Sequence, residues 1–357
     1  MVTNDGSINR AFWNGRRVLL TGHTGFKGSW AALWLKRLGA EVHGLALAPE
    51  TDPALWTLLG SDLLASETIA DITDRAALTK AIDTARPQIV LHLAAQALVR
   101  RSYADPLATI SSNTMGTACL LDGLRGVAGL QSIVVVTTDK VYANNDGGRD
   151  FVEDDPLGGH DPYSASKAAA ELLTRSYATS YFNKAGVAVG TARAGNVIGG
   201  GDWSADRLIP DVWRAMQTGL PLSLRFPDAT RPWQHVLEPI RGYLLYAQAL
   251  AEDAMTPRAL NFGPVPGTPM TVAEVADTVT AAMGADIAWQ RDNGEHPPEM
   301  KLLSLDPALA GQALDWRPRL NDAASVAWTA RWYSDFAAGS NARALCDAQI
   351  DQYEAIP

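Results

Sequence analysis

Tyr163 and Lys167 stand four residues apart in the string Asp161-Pro162-Tyr163-Ser164-Ala165-Ser166-Lys167. A helix capped by Asp161 and begun at Pro162 puts the phenol and the amine on one face. A free tyrosine titrates near ~10, too high for a base at neutral pH. An ammonium one turn away favours the phenolate and is expected to bring Tyr163 toward the working range. Such a pair suits removal of a proton from an alcohol. The spacing alone fits a surface tyrosine beside a solvated lysine equally well.

A second group lies upstream, where Thr137-Thr138-Asp139-Lys140 closes the β-branched run Ser132–Val136. A hydroxyl, a carboxylate and an amine together at a strand end are hard to explain as packing, although Asp also favours plain turns. A third group opens the chain. The apolar run after Arg17 ends in Gly22-His23-Thr24-Gly25-Phe26-Lys27-Gly28, followed at once by the helical pattern Trp30–Leu38. Gly22 and Gly25 would let backbone approach a pyrophosphate, and Gly28 would seat the helix against the strand.

The elements that must position these groups alternate. Strands are predicted at Arg17–Thr21, Glu41–Leu47, a short run ending at Asp71-Ile72, Pro87–Ala95, Ser132–Thr138 and Val187–Arg193. Helices are predicted at Trp30–Leu38, Leu78–Ala85, one long stretch Pro106–Leu124 that contains Asn113, and the segment from Pro162. This rhythm specifies an α/β fold with a doubly wound, mostly parallel sheet over residues 1–195. Prolines, tryptophans and arginines crowd residues 202–240, and 196–357 reads as a smaller C-terminal lobe closing a cleft. Chain exchange between the lobes makes the boundary near 195 nominal. Residues 1–12 read as a loose polar tether.

Composition narrows the function. The 357 residues are 47% hydrophobic and 19% charged with net charge −9, an ordinary globular profile that argues against a nucleic-acid surface. No run approaches the ~18 apolar residues of a membrane span, and a cytoplasmic location is expected. Cys119 and Cys346 read as structural thiols, and the six histidines show no metal-ligand spacing, so no metal is expected.

Taken together, the glycine turn, the end of the fifth strand and the Tyr163/Lys167 pair resemble the extended short-chain dehydrogenase/reductase family across nearly the whole chain. The longer strings Ala95-Gln96-Ala97-Leu98-Val99-Arg100, Arg193-Ala194-Gly195-Asn196-Val197-Ile198-Gly199-Gly200-Gly201-Asp202-Trp203 and Arg231-Pro232-Trp233-Gln234-His235-Val236 are similar to its branch that dehydrates CDP-glucose. That resemblance implies a Rossmann sheet, bound NAD, CDP-glucose as substrate, and a homodimer or dimer of dimers built on the helices near 106–124 and 162–181. It also implies a place in deoxysugar and O-antigen synthesis.

The implied roles fall on particular residues. Tyr163 takes the C4 hydroxyl proton, Thr138 bonds the C4 oxygen, Asp139 is the acid at the C6 hydroxyl, and Lys167 also holds the nicotinamide ribose. Lys140 stays open between a neutral base at C5, an ammonium beside the enolate, and an ion pair with Asp139. Gly22, His23, Thr24, Gly25, Phe26, Lys27, Gly28, Asp71, Ile72, Leu93, Ala94, Ala95 and Asn113 are expected to hold the cofactor. Gln96, Arg100, Arg193, Asn196, Arg207, Arg231 and His235 are expected to hold the sugar nucleotide, since guanidinium forks suit a diphosphate. Trp203 and Trp233 read more as core than as base platforms. Two departures stand out: Leu45-Ala46-Leu47-Ala48-Pro49 lacks the acid for a ribose 2′-hydroxyl, leaving NADP open, and Val141-Tyr142-Ala143-Asn144 replaces Cys-Tyr-Asp-Asn. Rival readings are a dTDP-glucose dehydratase, a 4-epimerase, or a cofactor-binding regulator without turnover.

Overall fold

All five side chains of Ser132-Ile133-Val134-Val135-Val136 are buried, so this run needs cover on both faces. A computed structural model, which describes residues 6–144, 147–265, 270–284, 287–294 and 303–357, shows how that cover is supplied. Helix α1 (Arg10–Trp13) leads into β1 (Arg17–Thr21), α2 (Phe26–Arg37), β2 (Glu41–Ala46), α3 (Leu55–Leu59) and β3 (Ser66–Ile69). Then come α4 (Arg75–Ala85), β4 (Ile89–His92), α5 (Val99–Ala104), α6 (Pro106–Ile110), α7 (Gly116–Gly123) and β5 (Ser132–Val136). Next are α8 (Pro162–Tyr177), β6 (Ala188–Ala194), β7 (Val197–Ile198), α9 (Leu208–Thr218), β8 (Leu222–Leu224) and β9 (Gln234–His235). The chain ends through α10 (Leu237–Glu252), β10 (Ala259–Phe262), α11 (Val272–Ala282), β11 (Trp289–Arg291), α12 (Ala308–Leu314), α13 (Asp322–Ala337) and α14 (Ala342–Glu354).

Seven strands form one sheet in the order β10-β6-β5-β4-β1-β2-β3, every pairing parallel. The order reverses between β1 and β4, and ligands bind at the carboxyl ends of strands at such a point. Along β5, Val134 and Val136 enter the core that includes α2 and α10, while Ile133 and Val135 enter the core under α4 and α7. Burying each valine contributes roughly 1.5–3 kcal/mol.

Several boundaries differ from the sequence expectation. The helix predicted over Pro106–Leu124 is α6 and α7 joined by a wide π-type turn at Ser111–Met115. That turn carries Asn113, whose amide bridges the loop after β4 to α8. The third strand stops at Ile69, so Asp71 lies in the turn before α4 and accepts from the Thr73 amide and hydroxyl. Residues 1–5 lie outside the described residues, and from residue 6 on the expected loose tether is packed. Arg241 reaches the Gly6 carbonyl, Asn9 caps α1, and Trp13 is fully buried.

The seventh strand, β10, comes from beyond residue 195. Asn261 interrupts its apolar run, and the amide is buried between the Tyr142 hydroxyl and the Phe151 carbonyl. Helix α10 packs across β4, β5 and β6, so residues 237–262 build the sheet layer, while residues of α9, β8 and α11 line the cleft at the carboxyl ends of the strands. Trp203, Trp213, Trp332, Tyr333 and Phe336 form one aromatic cluster there.

Candidate functional site

A cleft of about 1800 Å³ runs between the carboxyl ends of the strands and the C-terminal segments. That exceeds the ~300–1,000 Å³ of a pocket for one small ligand. One end is made by the glycine turn. Gly22 has φ +78°, and a Cβ there would lie 2.6 Å from the Ala94 amide nitrogen. A Cβ on Gly28 would come within 2.0 Å of the Gly22 carbonyl, so β1, β4 and α2 approach only because both residues lack one. Gly25 at the N-cap of α2 offers no side chain to the first-turn amides, which leaves that end of the helix suited to an anion. The cradle therefore fits a dinucleotide pyrophosphate.

Thr24, Phe26, Lys27, Asp71, Ile72, Leu93, Ala94 and Ala95 line the same cleft. His23 and Asn113 do not face it. His23 turns back under β2, where its Nε2 pairs with Glu67 at 2.8 Å and its ring fills the space that a Cβ on Gly44 would need. Asn113 is buried and acts on the frame, bonding Gln96 and Ser166. Lys27 is pushed down to about 7, first by loss of hydration and then by the Arg207 and Lys167 charges. Lys27 is half-buried at the cleft wall. At the end of β2, Leu47 lines the cleft without a carboxylate, and the next acid, Glu50, is bonded to Arg101 at 2.8 and 3.0 Å.

Strand β5 and helix α8 bring the reactive groups together. Asp139 is buried at the strand end, where the Thr138 hydroxyl donates to its Oδ1 at 2.9 Å and Lys140 Nζ lies 3.5 Å from the same oxygen. The absence of a Cβ on Gly195 leaves room for Asp139 Oδ2, which would otherwise stand 3.0 Å from it. Tyr163 and Lys167 line the same cleft from α8. The ammonium does not pull Tyr163 downward as the spacing suggested. Burial pushes the phenol up to about 12, while a hydrogen bond with Thr138 opposes the shift. Lys167 is itself lowered to about 8 by burial, with Glu171 pulling it upward, and its Nζ donates to the Val136 carbonyl at 3.0 Å. Desolvation outweighs the helical proximity of the two.

Of the residues expected to hold a sugar nucleotide, Gln96, Arg100, Asn196, Arg207 and Arg231 line the cleft. Two do not. Arg193 points from β6 into the protein interior, paired with Glu171 at 2.8 Å and bonded to the Tyr142 hydroxyl and the Glu153 carbonyl. Burial alone would lower it, but the bond and charge from Glu171 hold it above its ordinary value. His235 is fully buried between Trp30 and Trp328, and burial depresses it to about 3. Both side chains support the fold.

Other cleft residues escaped the sequence reading. Asp206 accepts from Arg100 at 3.1 Å and from Arg225 at 3.3 Å, and Asp202 lies 3.8 Å from Arg207. The crowding of arginines in 202–240 was the available signal, but no spacing rule names their partners. Trp203 and Trp233 border the cleft with their rings packed, Trp203 in the aromatic cluster and Trp233 donating to the Met270 carbonyl. Among the described residues no helix is long and apolar enough to cross a membrane, and no group of three or more His, Cys, Asp or Glu could hold a metal ion.

Known proteins are similar to this chain in sequence and in fold. Over 352 residues the chain is 41% identical to the CDP-glucose 4,6-dehydratase of Salmonella typhimurium, covering 97% of this chain and 98% of that protein. The dTDP-glucose 4,6-dehydratase DesIV of Streptomyces venezuelae, solved with NAD and TYD bound, superposes with a TM-score of 0.73 at 28% identity, covering 89% of this chain and 97% of that one. The UDP-glucose 4-epimerase of Thermus thermophilus, solved with NAD, gives a TM-score of 0.75 at 25% identity over 91% and 99%. Residues 18–263, from the glycine turn through the seventh strand of the sheet, match one family description. With its cradle for a dinucleotide and its Tyr163/Lys167 pair in one cleft, the chain belongs to the NAD dependent epimerase/dehydratase family.

Proposed function

We propose that this chain is an NAD-dependent lyase that converts CDP-glucose to CDP-4-keto-6-deoxyglucose and water. The observation that carries the reading is the meeting of Tyr163 with Asp139 and Lys140 in one cleft. An epimerase needs the phenol and Lys167 but has no use for an acid and an amine at the strand tip. The likeness to the Salmonella enzyme over nearly its full length supports the choice of CDP-glucose over a dTDP-sugar.

The glycine turn, Asp71, Ile72 and Leu93–Ala95 would hold NAD, with Lys167 at the nicotinamide ribose. When bound, NAD would supply a hydride acceptor at C4 and the matching donor at C6, regenerated within one turnover. Tyr163 accepts the C4 hydroxyl proton while Thr138 bonds that oxygen. The new ketone acidifies the C5 hydrogen. Lys140 Nζ lies 3.5 Å from Asp139 Oδ1, so moving one proton from the ammonium to the carboxylate would create an acid and a base together. Neutral Lys140 then removes the C5 proton, Asp139 protonates the C6 hydroxyl, and the C6–O bond breaks to release water. Lys140 returns its proton to C5 as hydride arrives at C6. The cycle resets when the proton on Tyr163 passes by way of Thr138 to the Asp139–Lys140 pair.

In this reading the enzyme works in the cytoplasm as a homodimer or dimer of dimers, and its product feeds deoxysugar synthesis, the O-antigen included. Incubation with CDP-, dTDP-, UDP- and GDP-glucose tests the substrate, with the 4-keto sugar detected by its ultraviolet absorbance in base. Product from CDP-glucose is expected. Faster turnover of any other nucleotide sugar would overturn the assignment.

A further inference from the structure

No step above uses Glu171, a buried carboxylate one turn beyond Lys167 on α8. Its Oε1 accepts from Thr137 Oγ1 at 2.5 Å and Arg193 Nε at 2.9 Å, and its Oε2 from Thr191 Oγ1 at 2.7 Å and Arg193 Nη2 at 2.8 Å. Thr137 is the residue between Val136, whose carbonyl accepts from Lys167, and Thr138. Two successive turns of α8 are thus bonded to two successive residues at the end of β5. The next two residues in the chain are Thr138 and Asp139.

Sliding α8 by one residue, about 1.5 Å along its axis, would break both contacts at once. Arg193 extends the same anchor, since it also bonds the Tyr142 hydroxyl and the Glu153 carbonyl on the segment that follows Lys140. A buried ion pair contributes little to stability that apolar side chains could not replace, so stability alone is a poor reason for this one. Its geometry has another use.

We infer that Glu171 is a positioning residue, which holds Tyr163 and Lys167 in register with Thr138 and Asp139 through Thr137, with Arg193 as its counter-charge. The inference rests on the dehydratase reading of the site. Glu171 also acts on Lys167 by charge, pulling it upward against burial. Among the described residues, His92 on β4 and Lys27 on α2 also feel the Lys167 charge, and Tyr163 shares its helix face.

Three variants test this: Thr137→Val, Thr137→Ser and the double change Glu171→Gln with Arg193→Met, which leaves no unpaired buried charge. A misplacement of about 1 Å at reacting atoms costs on the order of 100-fold in rate. Folded Thr137→Val and the double variant are therefore expected to lose roughly 10- to 100-fold in kcat with CDP-glucose, KM staying within about threefold. Thr137→Ser, which keeps the hydroxyl, is expected to recover the wild-type rate. The Lys167 titration, followed by the 13Cε resonance of labelled lysine and assigned with Lys167→Met, should move to lower pH in the double variant. Wild-type kcat in Thr137→Val, equal damage in Thr137→Ser, or an unmoved Lys167 titration would overturn the role. A wild-type protein that released no 4-keto sugar would overturn the substrate reading instead, and the sugar-free Lys167 titration would then decide the positioning role.

Discussion

Lys140 Nζ stands 3.5 Å from Asp139 Oδ1 at the end of β5, with the carboxylate buried and the amine open to the cleft. The acid and base of the proposed elimination are thus neighbours in the chain as well as in space. Asp139→Asn removes the acid and keeps the shape. It is expected to preserve oxidation at C4 while slowing loss of water by roughly 100- to 10,000-fold, the usual worth of a positioned proton donor. Reduced cofactor should then accumulate on mixing, seen by the near-ultraviolet absorbance of the reduced nicotinamide. Unchanged turnover would remove Asp139 from the mechanism.

In the proposed reaction the phenol acts only without its proton, and burial pushes Tyr163 up to about 12. Activity should therefore rise with pH through neutrality, because each unit below that value lowers the phenolate fraction about tenfold. Tyr163→Phe is expected to lower kcat by roughly 100- to 10,000-fold and to flatten this limb in a plot of log kcat against pH. A rising limb that survives the substitution would assign it to another group.

Two arginines separate binding from folding. Arg207 lines the cleft, whereas Arg193 is sealed on Glu171. Arg207→Ala is expected to raise the KM for CDP-glucose about 10- to 100-fold with little change in melting temperature, since a charged hydrogen bond is worth roughly 1.5–3 kcal/mol. Arg193→Met leaves Glu171 buried and unpaired, and should cost about 3–5 kcal/mol in denaturant unfolding. The opposite pattern would restore Arg193 to the substrate site.

His92 and His235 are buried and neutral, each lowered to about 3 by desolvation. In the unfolded chain they titrate near ~6.5, so between these values the unfolded state binds more protons. The stability they permit is complete above ~6.5 and falls as pH drops toward 3, by up to about 1.4 kcal/mol per pH unit for each. Urea unfolding at pH 7.5 and pH 5 should differ by about 4 kcal/mol from these two residues. Equal stability at both values would contradict their burial as neutral groups.

Leu107, Ile110 and Met115, in α6 and the turn after it, are 77%, 44% and 52% exposed, and Leu172 on the adjoining α8 is 58% exposed. Apolar side chains this open on two packed helices suit a second copy of the chain. Light scattering at micromolar concentration should show a dimer or larger species in the wild type and monomer after Leu172→Glu. A wild-type monomer would refute the interface.

Local chemistry was legible in the sequence. The glycine turn, the N-cap before Tyr163, the i, i+4 placement of Lys167 and the acid-amine pair at the end of β5 each lie within a few residues, where helix pitch and strand geometry dictate relative position. The doubly wound sheet followed from the same periodicities. Partners far apart in sequence were decided only by packing. Arg193 resembled a phosphate ligand until the fold set it on Glu171, 22 residues away. His23 and His235 turned inward, and the final strand of the sheet returned from residues 259–262, too short and too broken by Asn261 to show a period. The ionisation of Tyr163 belongs to the same class. Helix spacing says what can touch, but desolvation depends on everything that excludes water around the group, and only the folded chain determines that.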